Sequence, residues 1–524
     1  MKTTSIILFL IMLCTTLLSQ PNLDKKRDYV WVFGYDTIPP WGITIMDFKQ
    51  MNSSGTPSLS YSNEHYIDLT FTYDGICDTA GNLQFYTNGI YVMNANHELL
   101  DSGAIINDCT NLFYAYYPDF GYRVIQGALI LPLPGSPNQY YILHVPVETT
   151  DAGFFTQSWL YHSVVDMAMP NGAGGMGKLI SKNQLVIPDT VGAGMLTACR
   201  HANGRDWWIL VREIHSNRFY RCLLSPSGLS VVGTQTVGAT VLDLFGQAAF
   251  SPDGSKFVIY GGYSGSDQYL HLYDFDRCTG LLSNPLTQYR HARCWTAGGV
   301  AFSPNSQYLY ITQSWQCSDT VGAELMIMDV LQPNPFFTET IVARADSALD
   351  TLYNYINRTP FFWMQLGPDG KIYVLGGNGK RMGVMHNPDG GMLCDFRQHW
   401  LQLLSINGNS MPNNPHFRLG AVVGSSCDTL GIGAYVGIGS PESSFRLYPN
   451  PAANEVHLVW DNLESGQGYC TLKDALGREV LKMDMDFPSQ EQTLSLKNLS
   501  SGVYYLVIYQ GDTPIATEKL MITQ

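Results

Sequence analysis

Tyr289, Arg290, His291, Arg293 and Trp295 crowd into one short run, and Trp315 follows a little way on. Aromatic rings interleaved with arginines are what protein interfaces use as anchors and what sugar rings stack on. The same residue types serve as packing wedges between sheets, and both readings stand for this cluster. Covalent and metal chemistry find no comparable pattern. The twelve histidines form no recognisable triad or ligand set, and neither a G-x-S-x-G nucleophile turn nor a phosphate-binding loop occurs. No C-x-x-C pair is present to start a zinc site. Ser251-Pro252-Asp253-Gly254 invites comparison with the Asp box of sialidases, but that box carries its glycine two residues past the aspartate and a tryptophan beyond. Here Gly254 follows Asp253 directly, and Lys256 and Phe257 come next, so the turn reads as structural. Asp253 and Asp369 lie in no D-x-D-x-D-G loop of the kind calcium needs. The expectation is a chain with no catalytic residue, metal or cofactor, whose chemistry is recognition.

The elements that must hold this cluster repeat along the chain. Phe250 to Gly254 precedes the β-run Phe257-Val258-Ile259-Tyr260, Phe302 to Ser306 precedes Tyr308-Leu309-Tyr310-Ile311, and Leu366 to Gly370 precedes Ile372-Tyr373-Val374-Leu375. Weaker copies surround Gly81, Asn138 and Gly204. The turn positions 81, 138, 204, 254, 306 and 370 are 57, 66, 50, 52 and 64 residues apart, the length of a four-stranded blade with its loops. Proline presets the turn's φ and Gly or Asn accepts a positive one. Small residues before the turns, Ala248-Ala249, Gly298-Gly299 and Ala301, suit strands that converge on an axis. With a strand at 29–35 closing the ring against 417–424, the pattern predicts an all-β chain with a β-propeller over 28–425, seven blades, or else six or eight. The loops bearing 289–295 and 315 then fall on one rim. Trp207-Trp208 lies within a strand, so at least one of the pair belongs to a core. The segments 81–98, 201–213 and 275–284 resemble those of secreted WD-like and TolB-like β-propellers, which implies fold and hardly touches function.

Charged residues are 14% of the 524 and aromatics 12%, with 50 glycines and 27 prolines, a composition for short strands and tight turns rather than for a disordered chain. The net charge of −14 leaves no electrostatic footprint for nucleic acid. Lys2, the apolar run Ile6 to Leu18 and then Ser19-Gln20-Pro21 read as a signal peptide over 1–19. That run is too short to span a membrane and no later window does better, so no transmembrane segment is expected in the mature chain. Ten of the eleven cysteines thus enter an oxidising compartment. Cys77 with Cys109, Cys199 with Cys222, and Cys278 with Cys294 or Cys317 are the candidate bridges.

A linker over 426–444 leads to a module over 445–524, where β-runs at 455–460, 469–474, 479–484, 492–496, 503–509 and 515–522 fit a small Ig-like sandwich. Tyr448-Pro449-Asn450-Pro451, Leu476-Gly477-Arg478, Leu499 to Leu506 and Lys519-Leu520-Met521-Ile522 look like the C-terminal sorting domain of type IX secretion. The resemblance implies Tyr448, Pro449, Asn450, Pro451, Gly477, Gly502, Tyr504, Tyr505 and Lys519 as the sorting signal. It implies as partners the type IX translocon and its sortase-like peptidase, and a route through the Gram-negative periplasm to secretion or cell-surface attachment at the outer membrane. Gly502 is expected in a turn that needs positive φ or close backbone approach.

Asp followed by Thr or Ser and an aliphatic residue recurs at Thr37, Thr79, Thr190, Thr320, Ser347, Thr351 and Thr429. The pattern resembles the acceptor of periplasmic O-glycosylation in bacteria that use the type IX route; a simple Asp turn cap is the alternative. Together these features point to an exported propeller whose loop face binds a protein or glycan ligand. The alternative is a secreted hydrolase or lyase with its site at the channel mouth, which requires acidic, basic or histidine side chains converging there.

Overall fold

Runs rich in Val, Ile, Tyr and Phe, each bounded by Gly, Pro, Asn or Asp, form antiparallel strands through most of the chain. The computed structural model describes residues 22–523 apart from 23, 36–41, 54, 64–66, 108–120, 123, 147, 150–154, 157–158, 173, 193–194, 241–244, 263–267, 291–297, 314–322, 347–348, 353–354, 359–360, 378, 431–445, 461–466, 475–477, 487–490 and 511–512. The signal-peptide reading of 1–19 lies outside the described residues, and among those described no helix is long and apolar enough to cross a membrane. The chain divides into two compact units, Met1–Ile438 and Gly439–Gln524.

The first unit is a β-propeller; its described residues form seven sheets of three or four strands in succession, with two-stranded pairs at Glu148–Thr149 with Phe155–Thr156 and at Leu349–Leu352 with Tyr355–Arg358. The first holds Val30–Phe33, Ile43–Met51 and Pro57–Ser62, the second Asp74–Cys77, Leu83–Thr87 and Val92–Asn94. The third to seventh have four strands each and begin with Ala128–Pro132, Ala198–Arg200, Phe245–Phe250, Val300–Phe302 and Met364–Leu366. Neighbouring sheets share apolar layers. Phe219, Phe257 and Tyr273 join the fourth to the fifth, Tyr260, Leu309 and Met326 the fifth to the sixth, and Tyr310, Ile327 and Val374 the sixth to the seventh. Trp31, Phe48, Tyr373 and Leu403 pack the seventh against the first, which closes the ring. Trp207 and Trp208 are both buried, one on each face of the fourth sheet.

The repeated turns recur atom for atom. Ser251 Oγ donates to Asp253 Oδ1 and accepts from Lys256 N; Ser303 Oγ donates to Asn305 Oδ1 and accepts from Tyr308 N. Gly254 stands at φ +73°, where a Cβ would come within 2.5 Å of Arg277, so this position accepts only glycine.

Ring closure departs from the sequence reading. Residues 417–424 form no strand. The last strand of the seventh sheet, Phe396–Asn407, instead meets the first sheet through Thr44 and Ser405, whose hydroxyls lie 2.7 Å apart. The chain after it runs past the axial cavity, where Asn413 bonds Ala128 O and Leu196 O and Arg418 pairs with Asp28, just ahead of the first strand.

The cysteine pairings are also corrected. Cys278 bonds to Cys427, while Cys77, Cys199 and Cys222 are free and buried. Cys199 pairs with Trp208 and Trp208 with Leu223, so Cys199 and Cys222 stand two strands apart. Two strand spacings of roughly 4.8 Å exceed what a disulfide bridges. Cys109, Cys294 and Cys317 lie outside the described residues.

In the second unit Arg446–Tyr448, Glu455–Val459 and Glu491–Ser495 form one sheet, and Glu479–Asp486, Gln467–Asp474, Gly502–Gln510 and Thr513–Ile522 the other. Val456, Leu458, Trp460, Leu472, Leu506, Ile508 and Leu520 fill the sandwich between them.

Candidate functional site

The first strand of each propeller sheet has its outer edge paired and its inner edge facing the axis, where backbone N–H and C=O groups lack a neighbouring strand. Side-chain amides serve those groups. Gln247 accepts from Val300 N at 3.0 Å and donates to Met364 O at 2.6 Å, bridging the fifth, sixth and seventh sheets. Gln126 accepts from Ala248 N and donates to Ala248 O and Asn413 Oδ1. Asn413 donates to Ala128 O and Leu196 O, both at 2.8 Å. Asp74 accepts from Ile130 N, Gly75 N and Asn413 N. Burial outweighs those bonds and raises its carboxyl well above the usual range.

These pegs fill the axis and leave a cavity of about 60 Å³. Ligand pockets run roughly 300–1,000 Å³. Among the described residues, the titratable ones lining it are Asp28, His416 and Arg418. Asp28 and Arg418 are spent on each other through bonds of 2.6 and 2.8 Å. Burial, then the cations Arg418, Arg277 and Arg200, hold His416 well below its ordinary value, so its ring is neutral at pH 7.

The cluster singled out by residue type begins on the last strand of the fifth sheet, Leu281–Arg290, and divides there by strand alternation. Tyr289 is 49% exposed, its ring edge-on to Tyr269 at 5.4 Å. Arg290 is buried between the fifth and sixth sheets, 5.7 Å from the Tyr260 ring centroid, ion-paired to Glu339 and donating to Met326 Sδ at 3.4 Å. It walls a groove of about 430 Å³ with Gln313, Glu324, Met326 and Glu339. Gln313 pairs with Glu324 and Arg290 with Gln268 at the ends of their sheets. His291, Arg293, Trp295 and Trp315 lie outside the described residues.

Of the Asp-Thr and Asp-Ser positions, Thr37, Thr320 and Ser347 lie outside the described residues, and Thr351 sits in the strand Leu349–Leu352. Thr79 and Thr429 are exposed and Thr190 half-buried. Asp78 Oδ1 accepts from Ala80 N and Asn82 N, so it caps the turn holding Thr79.

In the second unit the Tyr-Pro-Asn-Pro segment fastens the final strand: Asn450 Oδ1 accepts from Met521 N at 2.9 Å, and Ala452 N donates to Met521 O. Pro449 and Pro451 flank that asparagine. Tyr448 stacks on His457 at 5.2 Å. Tyr504 is buried in the core, and Tyr505, on the other face, pairs with Lys519 across the sheet. Gly477 lies outside the described residues. Gly502 opens its strand without positive φ, and a Cβ there would meet only Tyr504 at 3.6 Å, an ordinary contact. The turn expected at Gly502 is therefore a strand start.

Sequence reasoning passed over Asp24, Arg27, Arg200 and Asn413, all engaged in contacts across sheets. Asp24 and Arg27 read only as charges following an apolar leader.

Residues 446–523 match the family of secretion system C-terminal sorting domains. Among solved structures the chain is similar to a candidate 6-phosphogluconolactonase from Bacteroides uniformis, at 12% identity over 73% of this chain and 98% of that one, TM-score 0.39. It is also similar to an exo-β-1,3-galactanase from Phanerochaete chrysosporium, at 8% identity over 77% of this chain and 96% of that one, TM-score 0.31. Likenesses this distant carry no argument about activity. A search of curated proteins found no match.

Proposed function

Because the chain carries a type IX secretion sorting domain and is exported through the periplasm to the medium or the outer-membrane surface, we propose that its propeller is a protein- or glycan-binding module. In this reading residues 1–19 are a signal peptide, the seven sheets between 28 and 425 are seven blades, and the sortase-like peptidase of the translocon cuts within 426–444. The observation that carries the binding reading is the filled axis. A channel-mouth hydrolase needs an open site with a free acid and base. Among the described residues the axis offers about 60 Å³, an ion pair already spent on itself and one neutral histidine.

Recognition falls to the end of the fifth and sixth sheets, where Tyr289 stands exposed beside a groove of ligand size. Arg290 positions the groove wall, and His291, Arg293, Trp295 and Trp315 supply the contact surface. Thr37, Thr79, Thr190, Thr320, Ser347, Thr351 and Thr429 are O-glycosylation acceptors in this reading; the exposure of Thr79 and Thr429 supports those two.

The exported full chain, applied to a glycan array and to cell-surface pull-down, tests the proposal. The combined Tyr289→Ala, Trp295→Ala and Trp315→Ala variant is expected to weaken the captured ligand by about a hundredfold or more with unchanged melting. Undiminished binding would overturn the assignment of the rim. Hydrolytic turnover abolished by His416→Gln would overturn the binding reading itself.

A further inference from the structure

At the other end of the sheets, where the first hairpin turns of the second, third and fourth sheets meet, lies a pocket of about 410 Å³. Its floor is Arg27 and Arg200, whose side chains are only 4% and 3% exposed. Asp24 stands between them, accepting from Arg27 Nε at 3.0 Å and Arg200 Nη2 at 2.9 Å. Burial opposes ionisation of Asp24, but the two guanidiniums outweigh it and hold the carboxyl below its ordinary range.

Not all of the guanidinium donors are spent. Arg27 Nη1 donates to Tyr140 OH at 2.7 Å and Cys77 O at 3.1 Å, while its Nη2 has no protein partner. Arg200 gives Nη1 to Arg205 O and Nη2 to Asp24 Oδ2 and Phe417 O, and its Nε is buried with the guanidinium stacked on the Trp207 ring. At the mouth Arg205 spends Nε and Nη2 on Asp206, leaving Nη1. The hydroxyl of Ser136 also lines the pocket without a bond, and Pro132, Leu133 and Pro134 form an apolar wall.

Three arginines against Asp24 and Asp206 leave one positive charge, in a chain whose net charge is −14. Arg27 Nη2, Arg205 Nη1 and the Ser136 hydroxyl are thus left unspent, and the pocket is short of one acceptor of single negative charge. A phosphate dianion would exceed that charge and face Asp24; a carboxylate matches it, and the paired N–H groups of arginine fit carboxylate oxygens.

We propose that this pocket binds the carboxylate of a small acidic ligand, whose body lies against the proline wall. An acidic sugar and the C-terminus of a peptide both offer that group. The site is separate from the groove at Tyr289 and does not depend on it.

Isothermal titration of the full chain with D-glucuronate against D-glucose, and with N-acetyl-alanyl-alanine against its C-terminal amide, tests the proposal and tells the two sources apart. At least one acid is expected to bind about tenfold or more tightly than its neutral counterpart, and more weakly in high salt. Ser136→Asp, which adds a negative charge at the mouth where the native hydroxyl makes no bond, is expected to lower that affinity by about tenfold or more with unchanged melting. Arg27→Lys, which keeps the charge and removes Nη2, is expected to act in the same direction. Two results would overturn the proposal: neither acid binding better than its neutral counterpart, or Ser136→Asp binding the acid as the parent does.

Discussion

At the propeller axis Gln126, Gln247, Asn413 and Asp74 are buried with their bonds made across sheets, whereas Thr471 alone is buried and polar among the described residues of the sorting domain. Both units are antiparallel β, so the difference comes from what their strands leave unpaired. A sandwich packs sheet face on sheet face, and apolar side chains suffice between them. Propeller sheets turn their first strands edge-on to a common axis, and each of those edges carries backbone donors and acceptors that burial would otherwise strand. Gln126, Gln247, Asn413 and Asp74 are therefore structural glue between sheets.

Acid should separate the two units most strongly. Burial holds His144 and His271 at about 3, each against an ordinary 6.5. Both stay neutral in the fold, while the unfolded chain takes up protons below about pH 6.5. Their contribution is complete above that pH and is lost as pH falls. Between about pH 7 and pH 5 each removes about 2 kcal/mol, about 4 kcal/mol together. The sorting domain holds a single histidine, His457. Calorimetry across this range should lower the propeller transition far more than the tail's; equal shifts would break the comparison.

Asp28→Asn tests the same contrast at one bond. Arg418 would lose its bidentate partner while remaining buried, which costs about 3 kcal/mol or more. The loss should appear in the propeller transition alone. A double replacement, Asp28→Asn with Arg418→Met, should recover much of it, because an apolar pair of similar volume leaves no stranded charge.

The smallest effect is expected in the tail. Gly502→Ala adds a methyl group where the nearest atom is at ordinary contact distance and the backbone needs no glycine. It should change tail stability by less than about 0.5 kcal/mol. Export of the Gly502→Ala chain, measured as the fraction reaching the medium or cell surface, then reports on recognition of this position and not on folding.

Much of the fold was legible because its signals are local. Turn chemistry at 251–254, 303–306 and 367–370 marked the hairpins, and alternating runs marked six strands of the sandwich within a few residues. The tail motifs were legible for the same reason, apart from Gly502, where a glycine type alone suggested a turn. At the rim, residue type alone could not tell Tyr289 from Arg290, and it is strand alternation that sends one outward and the other between sheets.

By itself, then, the order of residues determined the β class, the repeat, the acidic charge and the sorting tail, since each depends on neighbours a few positions apart. Tertiary structure alone decided that Cys278 meets Cys427 across 149 residues and that Asn413 reaches Leu196 across 217. It also brought Asp24 to Arg200 across 176 residues to build a pocket no motif announces. These contacts follow from ring closure, which places segments distant in sequence against one axis, where buried backbone and side-chain groups bond whichever partners the ring brings.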